Sequence, residues 1–513
     1  MNARVGVDDD AGPERLGRAS ARSVLWNGAT FATSKLLVLV STVVLARLLT
    51  PDDFGLVGIG LLIIGYLELA NDFGISAAVV QNRDAPDRVA NVAFWVNMAL
   101  GSMLTVVGLA AAPIVADFFD EPRAAAVVRA LSLSMFITSL GAIHEARLRR
   151  ELRFRRRLAP ELGRAIAKGG TAITLAAMGA GVWSLVWGQL AGEVTAAVFY
   201  WFAFRWRPAF VVDLGVARRL LGFGSQITLV GALGGVLRNA DYVVVGRALG
   251  TRALGLYTLA FRMPQLLIEG AVTIVGQVAF PAFARVQLEP ARLRSGLLRA
   301  LRLTALVITP LGLGLAVVAD PFVRAVYGER WEPAIEVMQL LAIYMVVQGA
   351  SRLVGDAYKA TGRAGILSKL AIVKLLITIP LLVTFVEGGI RGVALAQVLS
   401  AAICTLIDLA VAHRVIGVTR GELATAFLPA ARAGVILMAG CLLVLRVASM
   451  GSAWVELAVV AATGVVCYLG ALAAFDHDSL AEARRMVTGR GQRRRGLRSH
   501  PRPIDVAATG DTQ

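Results

Sequence analysis

Apolar residues in this chain fall into blocks of roughly 20, separated by short polar stretches. A helix of that length rises about 30 Å, the thickness of a bilayer's hydrocarbon core. Lipid offers no partner for a free backbone amide, so such blocks must be helices. The composition agrees: 57% of the 513 residues are hydrophobic and only 17% charged, against about 25% charged in a soluble domain.

Six spans are predicted near 24–46, 55–78, 89–116, 125–146, 160–180 and 183–204. Six more fall near 217–246, 253–284, 300–319, 333–357, 364–386 and 390–413, and two near 427–447 and 453–475. The chain reads as an all-α membrane protein of about 14 transmembrane helices. The eighth span contains Pro264 and Pro281, which predict a kink.

Basic residues mark one side of the membrane. Arg147, Arg149, Arg150, Arg153, Arg155, Arg156 and Arg157 follow the fourth span, and Arg285, Arg292, Arg294 and Arg299 follow the eighth. The alternate loops are poor in them, so the basic side is assigned to the cytoplasm, with both termini there. The net charge of +17 sits between spans and in the tails, a placement that suits anionic lipid headgroups and argues against nucleic acid.

A repeat divides the spans. LARLLTPDDFGLVGIG, from Leu45 to Gly60, returns as VGRALGTRALGLYTLA, from Val245 to Ala260. Arg47, Leu49, Gly55 and Leu56 align with Arg247, Leu249, Gly255 and Leu256 at one constant offset, and Val115-Ala116-Asp117 recurs as Val318-Ala319-Asp320. An even number of helices per half makes these parallel repeats, with a cavity between them. The expected division is a polar tail at 1–22, six-helix bundles at 23–212 and 213–415, two further helices within 416–475, and a basic tail at 476–513.

The strings ARLLTPDDFGLVGI and LRRELRFRRR (Leu148 to Arg157) resemble polysaccharide exporters of the multidrug/oligosaccharidyl-lipid/polysaccharide flippase superfamily. The Wzx-like O-antigen, colanic-acid and teichuronic-acid branch is the nearest in pattern, over about residues 20–415. The resemblance implies two six-helix bundles in a V around a central, often cationic cavity. It also implies a flippase that moves an undecaprenyl-pyrophosphate-linked oligosaccharide by alternating access, with polymerase and glycosyltransferases as functional partners. Rival readings are a lipid II flippase, a drug/cation antiporter of the same superfamily, and a membrane glycosyltransferase or polymerase. The last generally needs a long outer loop, which this chain lacks.

Ionisable residues within spans are costly and mark a cavity or a partner. Among them are Lys35, Glu68, Asp72, Arg238, Asp241, Arg262, Glu269, Arg352, Asp356, Lys369, Lys374 and Asp408. A pyrophosphate needs cations, and the guanidinium fork matches its oxygens. In the implied architecture helices one, two, seven and eight line the cavity. The candidates for headgroup contact are thus Lys35, Arg238 and Arg262, followed by Arg352 and Lys374. Glu68, Asp72 and Glu269 are candidates for proton or sodium coupling. Arg238 with Asp241, and Arg352 with Asp356, can instead pair along one helix face. Arg47 is expected to anchor its loop, with Asp52 or Asp53 nearby. No Walker-type phosphate loop occurs, and neither the three cysteines nor the four histidines have metal-ligand spacing. No cofactor or metal, and no catalytic residue, is expected.

Overall fold

The computed structural model describes residues 33, 35–72, 75, 79, 86–151, 154–204, 206–211, 213–447 and 451–475. The tails at 1–22 and 476–513 lie outside the described residues. Helices are numbered in chain order: α1 (35–48), α2 (Pro51–Asp72), α3 (Pro86–Phe119), α4 (Arg123–Arg150), α5 (Phe154–Ala177) and α6 (Val182–Ala203). Then come α7 (Leu214–Pro264), α8 (Gly270–Arg285), α9 (Pro290–Phe322), α10 (Ile335–Ala360) and α11 (Ala364–Phe385). The last three are α12 (Gly389–Ile416), α13 (Arg420–Val447) and α14 (Ala453–Phe475). The described residues contain no strand.

Helix α7 makes two passes. Its arms meet at Gly250, where φ 83° and ψ 178° turn the chain back within one residue. Only glycine takes that conformation at little cost. The seventh and eighth passes therefore join at a single sharp corner, where hydropathy alone suggests a short loop. The eighth pass continues through a π turn, Gln265–Glu269, into α8. Pro264 stands immediately before that turn. Its missing N–H breaks the regular ladder, and the wider turn re-pairs the carbonyls. With the arms of α7 counted separately, and α8 as the end of the eighth pass, the described residues form fourteen helical passes.

Eight helical stretches among the described residues are long and apolar enough to span a membrane. Two of them, Gly234–Arg285 and Gly365–Ile416, have 52 residues each, which is two passes. Ile114, Leu406 and Val466 are 70%, 68% and 70% exposed. In water such a surface would drive association; in a bilayer it faces lipid.

The halves of the repeat meet at Gly55 and Gly255. A Cβ on Gly55 would overlap the carbonyl oxygen of Thr251 and stand 3.0 Å from the nitrogen of Gly255. A Cβ on Gly255 would overlap the carbonyl oxygen of Pro51 and stand 2.9 Å from the nitrogen of Gly55. The contact is reciprocal, as a two-fold relation between repeats requires. Around it Trp331 donates to the carbonyl of Ala46 at 2.9 Å and packs edge-on against Phe54. Arg330 donates to the carbonyl of Leu49 at 3.1 Å. Arg47 bonds the carbonyls of Val326 and Ala325, so it ties α1 to the segment after α9. Asp53 instead accepts from Thr50, and Asp52 from Thr251. Arg47 thus bridges the halves, where its sequence neighbours suggested a local anchor.

The last two helices pack on α9, where Leu306, Leu437 and Tyr468 share a buried cluster and the Tyr468 hydroxyl donates to the Leu306 carbonyl at 2.9 Å. At the start of α13, Glu422 accepts from Arg294 of α9 and from the amide and hydroxyl of Thr419. These donors hold its carboxyl down to about 2, from an ordinary 4.5, with the Arg294 bond the first cause. A lowered folded pKa gives stability that is complete above the unfolded value and fades as pH falls toward the folded one. Glu422→Gln is therefore expected to lower the thermal midpoint of the detergent-solubilised protein at pH 7. The gap to wild type should narrow as pH drops from about 4.5 toward 2; a pH-independent gap would contradict the assignment.

Candidate functional site

A cavity of about 670 Å³ begins at Gly58, just past the Gly55–Gly255 crossing, and extends to Lys359 in the last turn of α10. The close approach of α2 and the eighth pass shuts one end.

Five cations line this cavity: Arg238 from the seventh pass, Arg262 from the eighth, Arg352 and Lys359 from α10, and Lys374 from α11. Two carboxylates join them, Glu269 and Asp408. Arg352 stands 3.4 Å from Glu269 and Lys374 2.7 Å from Asp408. Lys359 pairs at 3.1 Å with Asp356. Among the described residues, no carboxylate is within ion-pairing distance of Arg238 or Arg262. The cavity therefore carries uncompensated positive charge at those two positions. At an effective dielectric of about 20, each would attract an anionic oxygen 4 Å away by about 4 kcal/mol.

Four of the five headgroup candidates named from the sequence share this cavity, together with Glu269. Lys35 is exposed on α1 and is not among the lining residues. Among the described residues, the lining comes from α2 and from the seventh, eighth, tenth, eleventh and twelfth passes. The two same-face pairings considered above do not form. Asp241 turns into the protein, where it accepts from the Tyr257 hydroxyl at 2.8 Å and the Tyr242 amide at 3.0 Å. Arg238 is thereby left to the cavity. Arg352 takes Glu269, and Asp356 takes Lys359.

Asp408 accepts from Ser351 at 3.0 Å as well as from Lys374. Its side chain is 9% exposed and that of Lys374 26%. Removing one partner of such a pair strands the other charge. Asp408→Ala is expected to cost about 3 kcal/mol of stability, near the lower end for buried pairs because water reaches Lys374. Asp408→Ala with Lys374→Ala should recover most of that loss. The check is thermal unfolding in detergent, and equal destabilisation of single and double variants would count against the pairing.

Glu68 belongs to a second cavity, of about 300 Å³, in the first half. Asn71, Asn97, Arg164, Glu193 and Tyr200 line it too. Arg164 and Glu193 lie 3.5 Å apart, and Gln189 donates to Glu193 at 3.2 Å. Asp72 closes α2, and its side chain lies outside the described residues. Arg164, Lys168 and Glu193 were not singled out in the sequence. They are intramembrane charges of the same kind as the others, and a complete count of spans five and six would have found them.

The fold and sequence have relatives. The architecture is similar to a lipid II flippase, MurJ, in an inward closed conformation: TM-score 0.73 at 16% identity, over 89% of this chain and all of that one. The sequence is 32% identical to the teichuronic acid biosynthesis protein TuaB of Bacillus subtilis, over 58% of this chain and 62% of that protein's length. It is 27% identical to the lipopolysaccharide biosynthesis protein WzxC of Escherichia coli, over 72% of this chain and 76% of that one. A family described as polysaccharide biosynthesis protein matches residues 44–336, more than half of the sequence, and the chain belongs to that family.

Proposed function

We propose that this protein is a flippase of polysaccharide biosynthesis, which carries an undecaprenyl-pyrophosphate-linked oligosaccharide across the bacterial cytoplasmic membrane by alternating access. The observation that carries this reading is the central cavity's unpaired cations, Arg238 and Arg262, with Arg352 and Lys374 beside them. Such a cavity suits a pyrophosphate and repels the organic cations that a drug/cation antiporter takes. The similarity to TuaB and WzxC, both named for polysaccharide pathways, supports the substrate class.

The proposed cycle needs no covalent chemistry. The headgroup enters from the inner leaflet, the sugar rests in the wet cavity, and the lipid tail stays in the bilayer. The Gly55–Gly255 end faces outward, and both termini lie in the cytoplasm. The bundles at 23–212 and 213–415 rock about that end. Glu68 and Glu269 are candidates to couple the movement to a proton or sodium ion.

The test is deletion of the gene followed by analysis of lipid-linked intermediates. Oligosaccharide-linked lipid should accumulate on the cytoplasmic face. Accumulation of the cell-wall precursor instead would favour a lipid II flippase, and unchanged intermediates with altered dye efflux would remove the proposal.

A further inference from the structure

A third cavity, of about 170 Å³, lies between α1, α2, α5, α6 and the eighth pass. Gly58, Leu61, Thr258 and Arg262 line both it and the central cavity, so the two spaces adjoin. Its walls are mainly apolar, with Val38, Leu45, Phe54, Val57, Ala172 and Leu185. Among the described residues, its charged lining residues are Lys168 and Arg262.

Close packing puts Lys168 there. A Cβ on Gly192 would stand 3.0 Å from the Cβ of Lys168, and one on Gly188 would stand 2.8 Å from its carbonyl oxygen. The small residues of α6 thus draw α5 in and carry a lysine into an apolar space. Lys168 feels the charges of Arg262, Glu193, Arg164 and Glu68, but no carboxylate of the described residues stands within ion-pairing distance of its ammonium. A half-buried lysine in an apolar space without a close partner is costly, and a chamber with two cations and apolar walls matches a ligand with an anionic end and an apolar end.

We propose that this chamber binds the phosphate–isoprenoid junction of the lipid-linked substrate, with Lys168 and Arg262 on the phosphate and the apolar walls on the first isoprenoid unit. The assignment rests on the flippase reading and adds to it a position for the lipid beside the headgroup. The chamber has roughly the volume of five or six waters. That suits one isoprenoid unit and not a whole tail, which leaves the rest of the chain in the bilayer.

The experiment compares inorganic pyrophosphate with dimethylallyl pyrophosphate, a soluble ligand of one unit, by calorimetry on the full chain in detergent. Wild type should bind the dimethylallyl ligand at least about fivefold more tightly, as burial of a short apolar group predicts. Lys168→Gln should weaken both ligands by about tenfold, the effect of losing one charge-assisted bond, and Lys168→Arg should restore them. Ala172→Phe, which fills the chamber, should remove the preference, so that the dimethylallyl ligand binds no more tightly than pyrophosphate. A preference that survives Ala172→Phe, or binding indifferent to Lys168→Gln, would overturn the chamber while leaving the central cavity's role intact. If wild type binds neither ligand, the cationic headgroup site falls, and the chamber with it.

Discussion

Gly55→Ala is expected to reduce export by about tenfold or more while the protein still inserts and purifies as a monodisperse species. The added methyl would overlap the Thr251 carbonyl oxygen and sit 2.6 Å from the Thr251 carbonyl carbon. Both are backbone atoms and cannot rotate away. Overpacking of this kind costs about 1–3 kcal/mol. The cost falls on the state in which α2 and the eighth pass touch, and it is absent when they part. A penalty of that size shifts a two-state balance by roughly five- to hundredfold, so the transporter would be stranded with this end open. Gly255→Ala should behave alike, since its methyl meets the Pro51 carbonyl in the same way. A cysteine at Leu62, in the cavity lining, would then react faster with a membrane-impermeant reagent added outside. Normal export with unchanged labelling would show that the crossing does not govern access.

The second large effect is at Arg262 and Arg238. Each alanine variant should lower export by about ten- to hundredfold, because a hydrogen bond to a charged group contributes about 1.5–3 kcal/mol. Loss of both should abolish export. Protein levels should stay normal, since neither arginine holds a carboxylate of the described residues in an ion pair. Lysine should restore function only in part, because it supplies the charge without the planar fork. Arg352→Ala makes a useful contrast: it frees Glu269, puts a negative charge into the cavity and should impair export even where its own contact is minor. The readout is polysaccharide export in a deletion strain complemented by each variant. Full activity of both Arg238→Ala and Arg262→Ala would refute the cationic site.

The fold was largely legible because each span is a local statement: a run of apolar residues must be a helix wherever it ends up. The repeat was legible for a related reason. Gly55 and Gly255 recur at equivalent places, and the structure shows them in mutual contact. The partners of the charges were much less so. Arg238 and Asp241 are three residues apart, yet the packing of Tyr257 takes Asp241 away and leaves the arginine exposed to the cavity. Arg47 is close in sequence to Asp52 and Asp53, yet it bonds carbonyls almost 280 residues distant. Helix rotation decides such choices, and it depends on contacts no local window contains. Lys35 belongs to a helix expected at the cavity that does not line it. Lys168 lies on α5, a helix outside the set of one, two, seven and eight that the resemblance placed at the cavity.

The position of the Gly55–Gly255 crossing has a mechanical consequence. It lies near one end of α2, a helix of 22 residues and so about 33 Å long. A fulcrum at the end of a rod is a lever with one long arm. While the crossing stays closed, a tilt of about 10° there sweeps the far end through roughly 5 Å, about one helical pitch; opening at the crossing itself is the separate movement that parts the glycines. The short arm, four residues from Pro51 to Gly55 and so about 6 Å long, moves only about 1 Å in the same tilt, and a small displacement beside the crossing is thus geared to a much larger one at the far end. Backbone-to-backbone contact suits such a bearing because it has no side chain to flex and absorb the stroke.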